Sequence, residues 1–155
     1  MSVLVAAIGS AHGADCLGWD VADHMLGSSQ FSFCAEHDLC IKKYRHPTAA
    51  IYELADFSHA IFVDAIESEQ HPYGELLKID ATDLQPGNGM VSCHSAGLSD
   101  ALCLAHSIGT LPSDCIVMGL NVYPLENTRI TEIQQTPLIH EVWAHVLVHL
   151  PRIAM

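Results

Sequence analysis

Apolar residues gather along the chain in three short, dense runs, Val3–Ile8 (VLVAAI), Ala60–Ala65 (AIFVDA) and Asp114–Val122 (DCIVMGLNV). Runs of this length, rich in β-branched residues and without polar alternation, predict strands buried on both faces. Asp38–Tyr44 is a further candidate strand, ended by Arg45-His46-Pro47, and Gly74–Ile79 reads as an edge strand or hairpin arm after the His71-Pro72-Tyr73 turn. The intervening segments carry helical spacing. LGWDVADHML opens a first helix closed by Gly27 and the Ser28-Ser29 turn. Thr48–Ala55 predicts a short helix with Thr48 as N-cap and Ile51, Leu54 and Ala55 on one face. Gly97–Ile108 repeats apolar residues at Leu98, Ala101, Leu102, Ala105 and Ile108. The last helix is expected to start at Thr136-Pro137, with proline in the first helical position, and to run to about Leu150 before Pro151. Residues 81–93, with Pro86, Gly87 and Gly89, read as loop. Strands alternating with helices predict an α/β fold: one domain over residues 1–155, a twisted, mostly parallel sheet of about five strands with helices on both faces.

Composition narrows the function classes. Half of the 155 residues are hydrophobic and 15% are charged, as in a folded chain long enough to bury a core. A formal net charge of −12 disfavours nucleic acid and anionic membranes as partners and suits a cationic segment or a metal ion. No stretch has the length of a membrane-spanning helix. Six cysteines, at 16, 34, 40, 93, 103 and 115, include no C-x-x-C pair. Together with the lack of a basic segment before the Val3–Ile8 run, they predict reduced thiols and a cytoplasmic location. No long exposed apolar stripe is evident, so a monomer is expected.

Parallel strands bring distant residues together at their carboxyl edge, where ligands of open α/β sheets bind. Three candidates belong there: Asp15 in the glycine-containing loop after the first strand, Asp64 at the end of the second buried strand, and His94 before a helix. Two carboxylates and an imidazole bind a borderline divalent metal while leaving positions open. Taken singly, each has a plainer reading as a turn or capping residue. Cys16 and Cys93 flank two of these positions, as soft ligands, nucleophiles or, more plainly, buried inert thiols. HEVWAH at 140–145 is not H-E-x-x-H, so the zincin helix is absent. His145 and His149, at i and i+4, can share a metal, although polar-face histidines are the plainer reading. The first loop has neither G-x-G-x-x-G nor G-x-x-x-x-G-K-S/T, which disfavours a dinucleotide or P-loop site, and there is no G-x-S-x-G elbow.

At these places the sequence resembles the hydrogenase maturation endopeptidases, which trim the large subunit of NiFe hydrogenases. IGSAHGADCLGWDVAD resembles the family's opening strand and its G-N-x-L-x-G-D-D/E-G-x-G loop. IFVDAIES matches its central strand ending in Asp-Ala, and HSAGLSDAL, residues 94–102, matches H-x-x-G-L-x-D-x-L. LPSDCIVMGLNV and the terminal helix after Thr-Pro follow in the family's order. Ser10 replaces the loop's usual Asn, Ala14 one of its acids and Cys16 a Gly. The family's metal-binding groups carry over onto Asp64 and His94. For the first-loop acid two alignments stay open. Aligning on Gly9 puts Cys16 at the ligand position, whereas aligning on the LGW of the helix start puts Asp15 there. The second is preferred because helix-start packing fixes position better than a loop does.

The resemblance implies an aspartyl-type endopeptidase without a Ser or Cys nucleophile. It would remove the C-terminal extension of a NiFe hydrogenase large-subunit precursor after nickel insertion. The nickel would come with the substrate, met by Asp15, Asp64 and His94, and no organic cofactor is expected. Two other readings stand beside it: a non-cutting module that binds the nickel-loaded precursor, and a nucleotide- or cofactor-binding α/β domain, the latter by fold analogy alone.

Overall fold

A computed structural model describes residues 2–10, 16–36, 38–83, 92–93, 98–123 and 130–150. Among them β1 (Val3–Ile8) is buried at every position, because it lies between two strands and under helices on both sides. β2 (Leu39–Tyr44) and β3 (His59–Glu67) pair with it in parallel, and β6 (Asp114–Asn121) pairs in parallel with β3. β4 (Leu76–Asp80) closes the far edge antiparallel to β6, giving the order β2-β1-β3-β6-β4. The two-residue β5 (Ser92–Cys93) adds antiparallel to the end of β3. The expected mostly parallel sheet is present, five strands on its main path, with an antiparallel edge.

Period-two alternation divides the core. Val3, Val5, Ala7, Ile61, Val63 and Ala65 face α1 (Leu17–Leu26) and α4 (Glu132–His149), and α2 (Ser29–Ala35) adds Cys34 to this layer. Leu4, Ala6, Ile8, Ala60, Phe62 and Ile66 face α3 (Leu98–Ile108) and the segment around Ile51 and Leu54. Helices therefore cover both faces.

Four local expectations need correction. Residues 48–55 do not form one helix: two 3-10 turns, Pro47–Ala50 and Leu54–Asp56, stand there, and Thr48 is not the cap. His46 precedes the first turn in extended conformation, and Pro47 starts it, supplying the fixed φ of a first helical residue. α4 starts five residues earlier than Thr136-Pro137 implies. Thr131 accepts the Gln134 backbone N–H while the Gln134 side chain accepts from the Thr131 N–H, a reciprocal capping box that fixes the start and leaves Pro137 inside the helix. α2 was not expected; its N-cap is Ser28, whose Oγ accepts from the Gln30 N–H at 3.1 Å. Within the stretch expected to be loop, Ala81–Asp83 is a 3-10 turn and Ser92–Cys93 is β5.

Candidate active site

Asp64 lies inside β3, not at its last residue, and is fully buried. A buried carboxylate in an otherwise apolar strand is costly unless it is paired or hydrogen-bonded. One of its oxygens accepts from the Ala65 N–H at 2.8 Å. By alternation it shares the face of Phe62 and Ile66, the face covered by α3. In β6 its register partner is Gly119, and a Cβ at Gly119 would lie 2.0 Å from the Asp64 carbonyl oxygen. The glycine lets the two strands meet at this point.

Asp15 and His94 lie outside the described residues, but both are bracketed by placed backbone. Gly18, in the first turn of α1, lies directly on the sheet: a Cβ there would be 2.3 Å from the Ile8 carbonyl oxygen and 2.6 Å from that of Val63. The first turn of α1, with Gly18 three residues after Asp15, is thereby fixed against β1 and against the residue that precedes Asp64. On the other side, β5 holds Cys93, the neighbour of His94, in register with Ile66, two residues beyond Asp64.

Sequence reasoning passed over Asn121, which organises the same sheet edge. It is fully buried at the end of β6. Its Nδ2 donates to the carbonyls of Ser68, His71 and Pro72 at 3.0, 2.7 and 3.1 Å, and its Oδ1 accepts from the Ser68 and Tyr123 N–H groups at 2.9 and 3.1 Å. The turn after β3 is thus tied to β6 by one side chain. The signal was a polar residue closing an apolar run, the same signal that marked Asp64.

The cysteines give no sign of a nucleophile among the described residues. Cys16, Cys34 and Cys115 are buried cysteines outside any disulfide. Burial, aided by the nearby Asp80 and Asp114 carboxylates, pushes the Cys115 thiol up to about 12, so it stays protonated and unreactive. The side chain of Cys93 is outside the described set. A groove of about 730 Å³ between α1 and the start of α4 is lined by Asp20, Asp23, His24, Glu132 and Gln135 and is acidic. No helix among the described residues is long and apolar enough to cross a membrane.

The same fold is found among solved structures of hydrogenase maturation peptidases. The hydrogenase maturating endopeptidase HybD from E. coli superimposes with a TM-score of 0.73 at 18% identity, over 97% of this chain and 95% of that one. The HycI maturation protease of Thermococcus kodakarensis gives 0.63 at 20% identity, over 96% and 93% of the two chains. The hydrogenase 2 maturation peptidase of a Thaumarchaeota archaeon gives 0.57 at 25% identity, over 96% and 97%. No curated protein sequence matches the chain. The sequence model of the hydrogenase maturation protease family matches residues 46–147, well over half of its length. The chain belongs to that family, and is thus a hydrolase of the endopeptidase type. The matched range contains Asp64 and His94 but not Asp15.

Proposed function

We propose that the protein removes the C-terminal extension of a NiFe hydrogenase large-subunit precursor after nickel insertion, with Asp15, Asp64 and His94 meeting the nickel that the precursor carries. The observation that carries this reading is Asp64, a fully buried carboxylate in the central strand. A stability role does not account for an ionisable group there, because an apolar residue would fill the position at less cost. Support for its partners comes from Gly18, which fixes the helix start after Asp15 on the sheet, and from β5, which lays the neighbour of His94 beside β3. The nickel, held by the precursor's thiolates, then acts as a recognition anchor and polarises the scissile carbonyl or activates a water. A carboxylate not engaged by metal serves as the general base. The acidic groove suits a cationic segment of the partner. Processing takes place in the cytoplasm, with the enzyme acting as a monomer.

The test mixes the protein with nickel-loaded and nickel-free precursor and reads the mass shift on a gel. Loss of the extension from the loaded form alone, abolished by Asp64→Asn in a protein that still folds, is the expected result. Retained processing in Asp64→Asn overturns the assignment of the site. Binding of loaded precursor without any cleavage would instead indicate the non-cutting module, a reading favoured by the Ser10, Ala14 and Cys16 departures in the first loop.

A further inference from the structure

The opposite end of the sheet carries a second cluster of chemically active side chains. His59 opens β3, Asp114 opens β6, and the two are register partners. The last turn of α4 lays His149 over them. Its Nε2 is 2.9 Å from Asp114 Oδ2, and its ring stacks on that of His59 with centroids 4.1 Å apart. His145, one turn earlier, brings its Nε2 to 3.9 Å from the other Asp114 oxygen and meets the His149 ring edge-on at 4.7 Å. His145 and His149 are half-buried, and both turn toward a carboxylate rather than out to solvent as polar-face histidines would.

An ordinary ion pair leaves part of this arrangement unexplained. His149 already occupies one Asp114 oxygen at 2.9 Å. His59 Nδ1 sits 3.3 Å from Asp114 Oδ2, is shut off from solvent, and is not aligned for a hydrogen bond. Imidazole nitrogens around one carboxylate are the donor set of borderline divalent ions. Donor atoms of His59, Asp114 and His149 all lie within 4.8 Å of one another. Ligands 2.0–2.1 Å from a tetrahedral ion are themselves roughly 3.3 Å apart, close to the two contacts made by Asp114 Oδ2.

We propose that His59, Asp114 and His149 bind a divalent transition-metal ion at the amino edge of the sheet, with His145 as the adjacent fourth donor. The ion displaces any proton held between His149 and Asp114. It joins β3, β6 and the end of α4, the last described helix, and so acts as a structural clip. Asp64 lies five steps along β3 from His59, about 16 Å away, so the clip is independent of the proposed catalytic groups.

Metal-stripped full-length protein carrying Asp64→Asn, which removes a ligand from the other site, is titrated with Co²⁺ and Zn²⁺. One Co²⁺ per chain with the visible absorption of a tetrahedral nitrogen–oxygen site is expected. Zn²⁺ at a hundred times its Kd should raise Tm by roughly 5–10 °C. His149→Gln or Asp114→Asn should weaken binding at least tenfold and remove the spectrum. Absence of binding, or binding unchanged by both substitutions, overturns the proposal. Should the variants fail to fold, zinc protection of the wild-type histidines from diethyl pyrocarbonate, mapped by mass spectrometry, decides. Protection of His59 and His149 supports the site, and unchanged modification overturns it. None of these readouts depends on peptidase activity.

Discussion

Gly18→Ala tests whether the approach of α1 to the sheet is as tight as the geometry states. The new methyl would lie 2.3 Å from the Ile8 carbonyl oxygen and 2.6 Å from that of Val63, whereas ordinary contact begins at 3.4 Å. Both obstacles are backbone, held by the parallel pairing of β1 with β3, so neither can rotate away. The helix must therefore lift by about 1 Å at its first turn, a gap that forfeits a quarter to a half of each contact made by Leu17 and Val21. Such overpacking costs about 1–3 kcal/mol, and strain against two fixed carbonyls places this site in the upper part of that range. The better helix propensity of alanine returns up to about 1 kcal/mol. A net loss of about 1–2 kcal/mol remains, or roughly 2–8 °C in Tm for a chain of this size. Gly27→Ala serves as the internal control: it ends the same helix at φ −82°, and its nearest neighbour would be 3.5 Å away. Urea denaturation of both variants gives the answer. If Gly18→Ala matches or exceeds the wild type while Gly27→Ala is neutral, the close-approach argument is refuted. On the proposed mechanism, processing of the precursor should fall with Gly18→Ala and persist with Gly27→Ala.

Two further outcomes follow from buried and half-buried polar groups. Asn121→Ala deprives five backbone groups of their partner and should cost roughly 3–5 kcal/mol in urea denaturation, with faster proteolysis around residues 68–75; a loss below 1 kcal/mol would contradict the tethering role. The Tyr44 hydroxyl donates to Glu53, and this bond, helped by Lys42, holds the Glu53 carboxyl below its usual range. A depressed carboxyl stabilises the fold above its unfolded titration point, and that contribution is lost as pH falls through its folded value. Tyr44→Phe should therefore destabilise by about 0.5–1 kcal/mol at pH 7, after allowance for the exposure of Glu53, and by less at pH 3. An equal effect at both pH values would exclude the charge-assisted bond.

What could be read from the sequence follows the physics of burial. β1, β3 and β6 are covered on both faces, so their side chains need no polar alternation and appear as unbroken apolar runs. Asp64 and Asn121 interrupt those runs for the same reason. The start of α4 was also written in the chain, as the Thr131-x-x-Gln134 capping pair, but Thr136-Pro137 competed with it as a start signal. Residues 47–56 follow helical spacing without forming a full α-helical turn, so periodicity overstated them. The His59, Asp114 and His149 group was illegible as a unit. Its members lie on three elements and meet only through the parallel register of β3 and β6, which no local pattern encodes. The i, i+4 spacing of His145 and His149 was the visible fragment of it.

The order of the strands also governs how the chain leaves the ribosome. β2 and β3 can each pair with β1 as soon as they are made, but β4 is synthesised before the strand it must bind, and waits for residues 114–121. During that interval Leu76, Leu77 and Ile79 are an unclaimed apolar edge of the kind that recruits other nascent chains. Lys78, set among them, is the guard: its charge discourages strand addition while the segment is alone. It acquires its partner, Glu141 at 2.9 Å, only when the final helix docks. A Lys78→Val substitution would therefore be felt in the yield of soluble protein during expression far more than in the stability of the finished molecule.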